Sequence, residues 1–398
     1  MKPDRKARRH GTRILRSAFF DLGEPVQISS VETFPIGIPL SNPVRMSHVT
    51  ITRSNNVLVK VSTDDGLVGW GEGVEAFDLT GENQGRIKAS IDSLGELLIG
   101  KDPRARTEHW MSLGRKAFEN ATAIGALDIA LHDIAGKASG LPVFELLGGA
   151  VRHRVPALTL IGSGDPDADL AIFEGKYEAG YRWFKVKLGI GEGSAEVKTL
   201  TAISAAADDV VICGDVNGGW DEHEALRFLR AIEGLPVRYI EQPTRDRQVL
   251  ARVAASSPVA ICADESAHSL TDIAGFGLTA IAGVSLKLIK LGGITGVMRG
   301  SVLCDTVGLE INLAGKIAES SVAAAANLHC AAAISDLRFG CSTGNQGNAA
   351  DVTHDPIRMS DGVFTVPGGP GLGIEVDEGL VRALVSAAPD KTAAAASR

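Results

Sequence analysis

Between residues 182 and 290, five short apolar runs each close on charged residues. They are Trp183-Phe184-Lys185-Val186-Lys187, Val210-Val211-Ile212-Cys213-Gly214-Asp215, Val237-Arg238-Tyr239-Ile240-Glu241, Val259-Ala260-Ile261-Cys262-Ala263-Asp264 and Val284-Ser285-Leu286-Lys287. A parallel strand covered by helices on both faces can be apolar almost throughout. An ionised group at its last position is costly unless it meets a metal or an opposite charge. In order, the endings are lysine, carboxylate, carboxylate, carboxylate and lysine. They read as one constellation at one end of one sheet.

These runs belong to a longer grammar. From Val155 onward, strand-like and helix-like stretches alternate at intervals of about 25 residues. Strands are expected to begin near Val155, Trp183, Val210, Val237, Val259, Val284, Leu309 and Leu337, with helices such as Ala168–Ala179, His223–Ile232 and Asp272–Thr279 between them. Eight such units predict a (β/α)8 barrel, with room for modified last units, and catalytic residues at the C-terminal strand ends. Upstream, Val31 to Ile38, Asn56 to Val61 and Leu67 to Gly71 alternate like an antiparallel meander, with Asp64-Asp65-Gly66 as a turn. Ile124, Leu127, Leu131 and Ile134 then recur at helical spacing, and Gly140 and Pro142 end that helix. The organisation expected is a basic tail over 1–25, an α+β capping domain over 26–150 and the barrel over 151–350. A segment over 351–390 returns to the cap, and a short tail covers 391–398. The Gly340 to Gly347 stretch is read as a loop.

Composition narrows the class. A net charge of −8 and 44% hydrophobic residues in 398 describe a globular protein whose main partner is neither nucleic acid nor an anionic membrane. No apolar run approaches the roughly 18 residues of a membrane span. The N-terminus carries Lys2, Arg5, Lys6, Arg8, Arg9, Arg13 and Arg16, without the apolar core of a signal peptide. All five cysteines lie in the C-terminal half and none forms a C-x-x-C pair, so they are read as buried thiols in a reducing cytoplasm. Cys213 and Cys262, two residues before strand-end acids, should face the barrel interior one layer below them.

Asp215, Glu241 and Asp264 close three successive strands about 4.8 Å apart, within reach of a single ion. Three oxygen ligands without His or Cys favour Mg²⁺, with Mn²⁺ as a substitute. The bland alternative is three separate pairs with helix lysines. Lys185 and Lys187 alternate on one strand and both face inward. Two close ammonium groups beside a cation should depress each other's pKa and make one a base. Lys287 enters from the opposite wall. Asn217 and Glu265 lie just beyond two of the acids and would orient ligands or a lysine. His132 is read as structural.

The arrangement resembles the enolase superfamily, and within it the muconate-lactonizing-enzyme subgroup. The resemblance rests on Lys185-Val186-Lys187, Asp215-Val216-Asn217, Glu241-Gln242-Pro243, Asp264-Glu265-Ser266 and Lys287 through Ile294, with Ala126 through Lys137 and Leu146-Leu147-Gly148-Gly149. It implies proton transfer α to a carboxylate, with a metal-stabilised enediolate, as enolase-superfamily sites are described in general. Lys185, Lys187 and Lys287 would be catalytic, and Asp215, Glu241 and Asp264 the metal ligands. A mandelate-racemase-like site would carry a His on the seventh strand, but Ile311 to Lys316 has none.

The expected enzyme is therefore a Mg²⁺-dependent isomerase of the muconate cycloisomerase type, acting on a small carboxylate and assembling as a homo-oligomer. Three alternatives stay open: a racemase or epimerase of an N-substituted amino acid, dipeptide or betaine; a syn-dehydratase resembling o-succinylbenzoate synthase; and a catalytically idle binding protein. Lys316 stands where relatives carry a small or hydroxyl residue. Asp336-Leu337-Arg338 and Cys341-Ser342-Thr343 lack the acids of dipeptide epimerases and muconate enzymes respectively. Substrate contacts are expected from Lys316, Ser342, and Met46, His48 and Phe77 of two capping loops. Lys316 would read a second anionic group, or else pair with Glu319 or Asp336.

Overall fold

A computed structural model describes residues 26–45 and 50–385. The basic tail over 1–25, the tail over 391–398, and Met46 and His48 lie outside the described residues.

The alternating N-terminal text forms β1 (Ile28–Arg45), β2 (Thr50–Thr63) and β3 (Val68–Gly73), an antiparallel sheet in that order. Gly66 takes a positive φ of 90° in the turn between β2 and β3, and its N–H reaches the Thr63 carbonyl. Three helices follow: α1 (Gln84–Gly95), α2 (Arg106–Lys116) and α3 (Ala121–Ser139). Helix α3 is buried without interruption from Thr122 to Gly136 and ends on left-handed Gly140. It can lie this close to β3 because Gly69 and Gly71 face it: a Cβ on Gly71 would stand 1.9 Å from the Ala126 carbonyl oxygen.

A short helix α4 (Val143–Leu146) and β4 (Arg154–Pro156) lead into the barrel. Its strands and helices are β5 (Leu158–Ile161), α5 (Pro166–Glu178), β6 (Trp183–Lys187), α6 (Gly193–Ala206), β7 (Val211–Asp215), α7 (Glu222–Ala231), β8 (Val237–Glu241) and α8 (Arg247–Ser256). The circuit continues with β9 (Ile261–Ala263), α9 (Leu270–Phe276), β10 (Gly283–Leu286), α10 (Leu288–Leu291), α11 (Ile294–Val307), β11 (Glu310–Ala314), α12 (Ser321–Ala333) and β12 (Cys341–Ser342). The eight strands β5 to β12 are parallel and sequential, and a bridge between Ala157 and Cys341 joins the two ends. Phe184 faces outward against Phe173 of α5, ring centroids 4.7 Å apart. Inside the barrel, Cys213 and Cys262 pack with Leu158, Tyr239 and Phe339.

Two expected strand positions are corrected. Val155 belongs to β4, which pairs antiparallel with β13 (Val363–Thr365), so the first barrel strand begins at Leu158. The eighth strand is Cys341–Ser342, inside the stretch read as a loop and beyond Leu337. It is only two residues long, too short to show a period, and register with Leu313 and Ala314 defines it. The chain then reaches the cap: Leu372 N–H donates to Asp133, and Glu378 of α13 (Glu378–Val385) pairs with Lys60.

His329 of α12 sits where α4 and this returning segment meet. Its Nδ1 accepts from Phe144 N–H at 3.3 Å, leaving Nε2 to donate to the Leu372 carbonyl at 3.1 Å. Burial pushes its imidazole down to about 4. The unfolded chain protonates this group near 6.5, so below that pH it binds a proton that the folded state refuses. Stability should therefore fall on acidification. From this residue alone, about 2 kcal/mol should be lost between pH 7.5 and pH 5. Urea unfolding at the two pH values, compared with His329→Gln, should show the slope diminished in the variant.

Candidate active site

The strand register builds the site. Lys187, Asp215 and Glu241 are partners in one row across β6, β7 and β8. Lys187 Nζ accordingly donates to Asp215 Oδ2 at 2.7 Å and to Asn217 Oδ1 at 2.8 Å. Lys185, one inward position lower, reaches diagonally to Glu241. Asp264 follows β9, and Lys287, just after β10, donates to its Oδ2 at 2.5 Å. All six side chains are buried or nearly so.

Burial opposes the charge on Lys185, but Glu241 and Asp215 outweigh it and hold the ammonium above its ordinary range. Lys287 is raised in the same way, chiefly by Asp264 against burial. Pairing with acids, rather than repulsion between lysines, decides the charge in this arrangement. Asp264 is in turn held below the usual carboxylate range, because Lys287 and Lys290 overcome the effect of burial.

Lys290, Ser285, Asn312 and Gln242 support the site in ways that escaped the reading of the sequence, whereas Asn217 and Glu265 were expected to. Lys290 is fully buried and donates to both the carbonyl and Oδ1 of Asp264, each at 2.6 Å. Ser285 Oγ donates to Glu241 Oε1 at 2.5 Å, and Asn312 Nδ2 donates to Ser285 Oγ at 2.7 Å. Gln242 adopts a φ of 38°, rare for a side-chain-bearing residue, and its Oε1 accepts from the N–H groups of Asp264 and Ser266. That strain fixes the strand-end acid of β9 from the neighbouring strand. Asn217, at φ 50°, links Lys187 to Glu265 through a 3.0 Å bond from Nδ2 to Oε1.

The outer candidates divide. Lys316 follows β11 and lines a narrow cleft with Lys287. Neither rival partner takes its ammonium: Glu319 accepts from the N–H groups of Lys316 and Gly344, and Asp336 pairs with Arg338. Its ion pair is instead with Asp78 of the cap, at 3.8 Å. Ser342 lies on β12 beside Ala314, its carbonyl accepting from Asn327 Nδ2. Phe77 is 68% exposed at the tip of the loop that carries Asp78.

Among the described residues, no three or more His, Cys, Asp and Glu side chains are gathered as a ready metal cluster. Three buried anions repel one another, and here each turns to a lysine instead. The donor set still fits a hard divalent cation, since it consists of carboxylate oxygens from adjacent strand ends. Glu265 Oε2 and Asn312 Oδ1 beside it are buried without a partner among the described residues.

Comparison with known proteins agrees with this geometry. Residues 28–148 match the family "Mandelate racemase / muconate lactonizing enzyme, N-terminal domain", and residues 171–380 match "Enolase C-terminal domain-like". The chloromuconate cycloisomerase CbnB of Cupriavidus necator is 33% identical over 374 residues, covering 91% of this chain and 100% of that protein. The structure of muconate lactonizing enzyme from Pseudomonas fluorescens, complexed with muconolactone, superposes with a TM-score of 0.86 at 30% identity, over 91% of this chain and 100% of that one. An N-succinyl Arg/Lys racemase from Bacillus cereus superposes at 0.85 with 28% identity, over 90% and 98% of the two chains. With a matching cap, a matching barrel and lysines facing acids at the strand ends, the chain belongs to the mandelate racemase / muconate lactonizing enzyme family of the enolase superfamily, in its muconate-lactonizing subgroup, and is an isomerase.

Proposed function

We propose that the protein is a Mg²⁺-dependent isomerase of the muconate cycloisomerase type, moving a proton at the carbon α to a carboxylate of a small substrate. One observation carries the reading: β6 and β10 are four strands apart in an eight-stranded barrel, so Lys187 and Lys287 approach from opposite walls. The strands between them supply Asp215, Glu241 and Asp264. These three would hold Mg²⁺, or Mn²⁺ in its place, and the cation would offset the second negative charge that develops on the substrate carboxylate. With the cation holding the three acids, Lys187 would take or return the α-proton on one face, and Lys287 on the other. In the cycloisomerisation a distal carboxylate oxygen adds to the C=C bond, the π electrons pass into the reacting carboxylate as an enolate, and the ammonium of one lysine protonates the α-carbon; in reverse, the neutral lysine takes that proton and the ring C–O bond breaks. Lys185, paired with Glu241, keeps a positive charge beside the reacting carboxylate. Asn217 orients Lys187, and the loop carrying Phe77 covers the substrate.

The second reading is a racemase of an N-substituted amino acid. Opposed lysines are also what inversion at carbon requires, and the superposed Bacillus cereus structure is named as such a racemase. Incubating the enzyme and Mg²⁺ in D₂O with muconate, chloromuconates and N-succinyl amino acids separates the two. Deuterium gained at the α-carbon of a lactone product supports cycloisomerisation, and exchange in a recovered amino acid supports racemisation. If no carboxylate exchanges, the proton-transfer reading is lost. No helix among the described residues is long and apolar enough to cross a membrane. A cytoplasmic homo-oligomer completes the proposal.

A further inference from the structure

Lys316 carries a buried charge that its surroundings do not satisfy. Its side chain is 10% exposed, and its ammonium makes no hydrogen bond among the described residues. Asp78, at 3.8 Å, is beyond hydrogen-bond reach and has further interactions of its own. Glu319, the acid beside it in the chain, is occupied by two backbone N–H groups, and burial pushes its carboxyl up to about 8. At neutral pH it therefore offers little negative charge. Burial lowers the Lys316 pKa; Asp78 offsets this in part, while Lys287 and Lys187 add repulsion. An ammonium with three donors, facing other cations across a cleft, is the environment of an anion subsite.

We propose that Lys316 reads a second anionic group of the substrate, a carboxylate distal to the reacting carbon, and that Asp78 of the capping loop is its displaceable stand-in. The inference rests on the proposed reading of Lys187 and Lys287 as the reacting pair, because Lys316 shares its cleft with Lys287. A single ammonium matches a monoanionic carboxylate better than a phosphate, which calls for more donors. The cleft has room of only ≈ 10 Å³, about one water molecule. A ligand carboxylate therefore reaches Lys316 only by taking the place of Asp78 and shifting the loop that bears it. Molecules with one carboxylate leave the Lys316–Asp78 pair in place.

Adipate and hexanoate test this, since both have six carbons and differ by the second carboxylate. Calorimetric binding in saturating Mg²⁺ should show adipate bound about 10-fold or more tighter by wild type. Lys316→Met should bring the ratio close to one, and Lys316→Gln provides the same reading should the methionine variant fold poorly. Asp78→Asn should keep or widen the ratio, since it removes the competing anion. Equal binding of the two acids by wild type, or a preference surviving in both Lys316 variants, would overturn the proposal. An Asp78→Asn variant that loses the preference would overturn the stand-in role. The D₂O assay reads the proton chemistry independently: exchange without an adipate preference removes only this subsite, and a preference without exchange removes only the reaction assignment.

Discussion

Lys187→Ala and Lys287→Ala are each expected to lower turnover by about 10²–10⁴-fold, the usual contribution of one positioned acid or base. The two losses should differ in kind. On a racemisable substrate, each variant should stop α-proton exchange in one enantiomer and leave exchange in the other, because the lysines come from opposite walls. Lys187 also donates to Asp215 and Asn217, so its removal leaves those groups short of a donor. Circular dichroism and a melting curve should accompany the kinetics. Near-wild-type turnover in both folded variants would refute the assignment of acid and base.

The largest effect on stability is expected at Asp264. Its carboxylate answers Lys287 and the fully buried Lys290 at once. Removing one partner of a buried pair leaves an uncompensated charge and typically costs about 3–5 kcal/mol. Asp264→Ala should therefore lower the thermal midpoint by about 4–6 °C without Mg²⁺. Asp264→Asn keeps an acceptor for Lys290 and should lose less. Wild type should gain stability on adding Mg²⁺, because a ligand that binds only the folded state shifts the equilibrium toward it. Neither variant should gain comparably. Differential scanning calorimetry with Mg²⁺ and with EDTA checks both points, and an unchanged midpoint for Asp264→Ala would contradict the role given to its two lysine pairs.

The frame of the site was legible because strand parity and strand order are written directly in the chain. Apolar runs ending in charge located β6 to β10, and period two placed Lys185 and Lys187 on one face. What remained hidden depends on how strands stand against one another. Ser285 has the same parity as Lys287, and register pairs it with Asn312. That parity was a usable signal, but the diagonal reach of both to Glu241 was not. Lys290 lies three residues after Lys287, the spacing of one helical face, so a short helix α10 would have disclosed it. The strained backbone of Gln242 left no mark in composition. β12 is too short to show a period, and closure of the barrel alone makes it a strand. The Lys316–Asp78 pair joins residues from cap and barrel 238 positions apart, a proximity no local pattern encodes.

The central claim is that Asp215, Glu241 and Asp264 exchange their lysine partners for one divalent cation. A crystal structure of the enzyme grown with Mg²⁺ tests it most directly. The expected result is a single ion bound by one oxygen from each carboxylate at about 2.1 Å. Mg²⁺ bound elsewhere, or these three carboxylates still paired only with Lys185, Lys187 and Lys287 at saturating Mg²⁺, would contradict it.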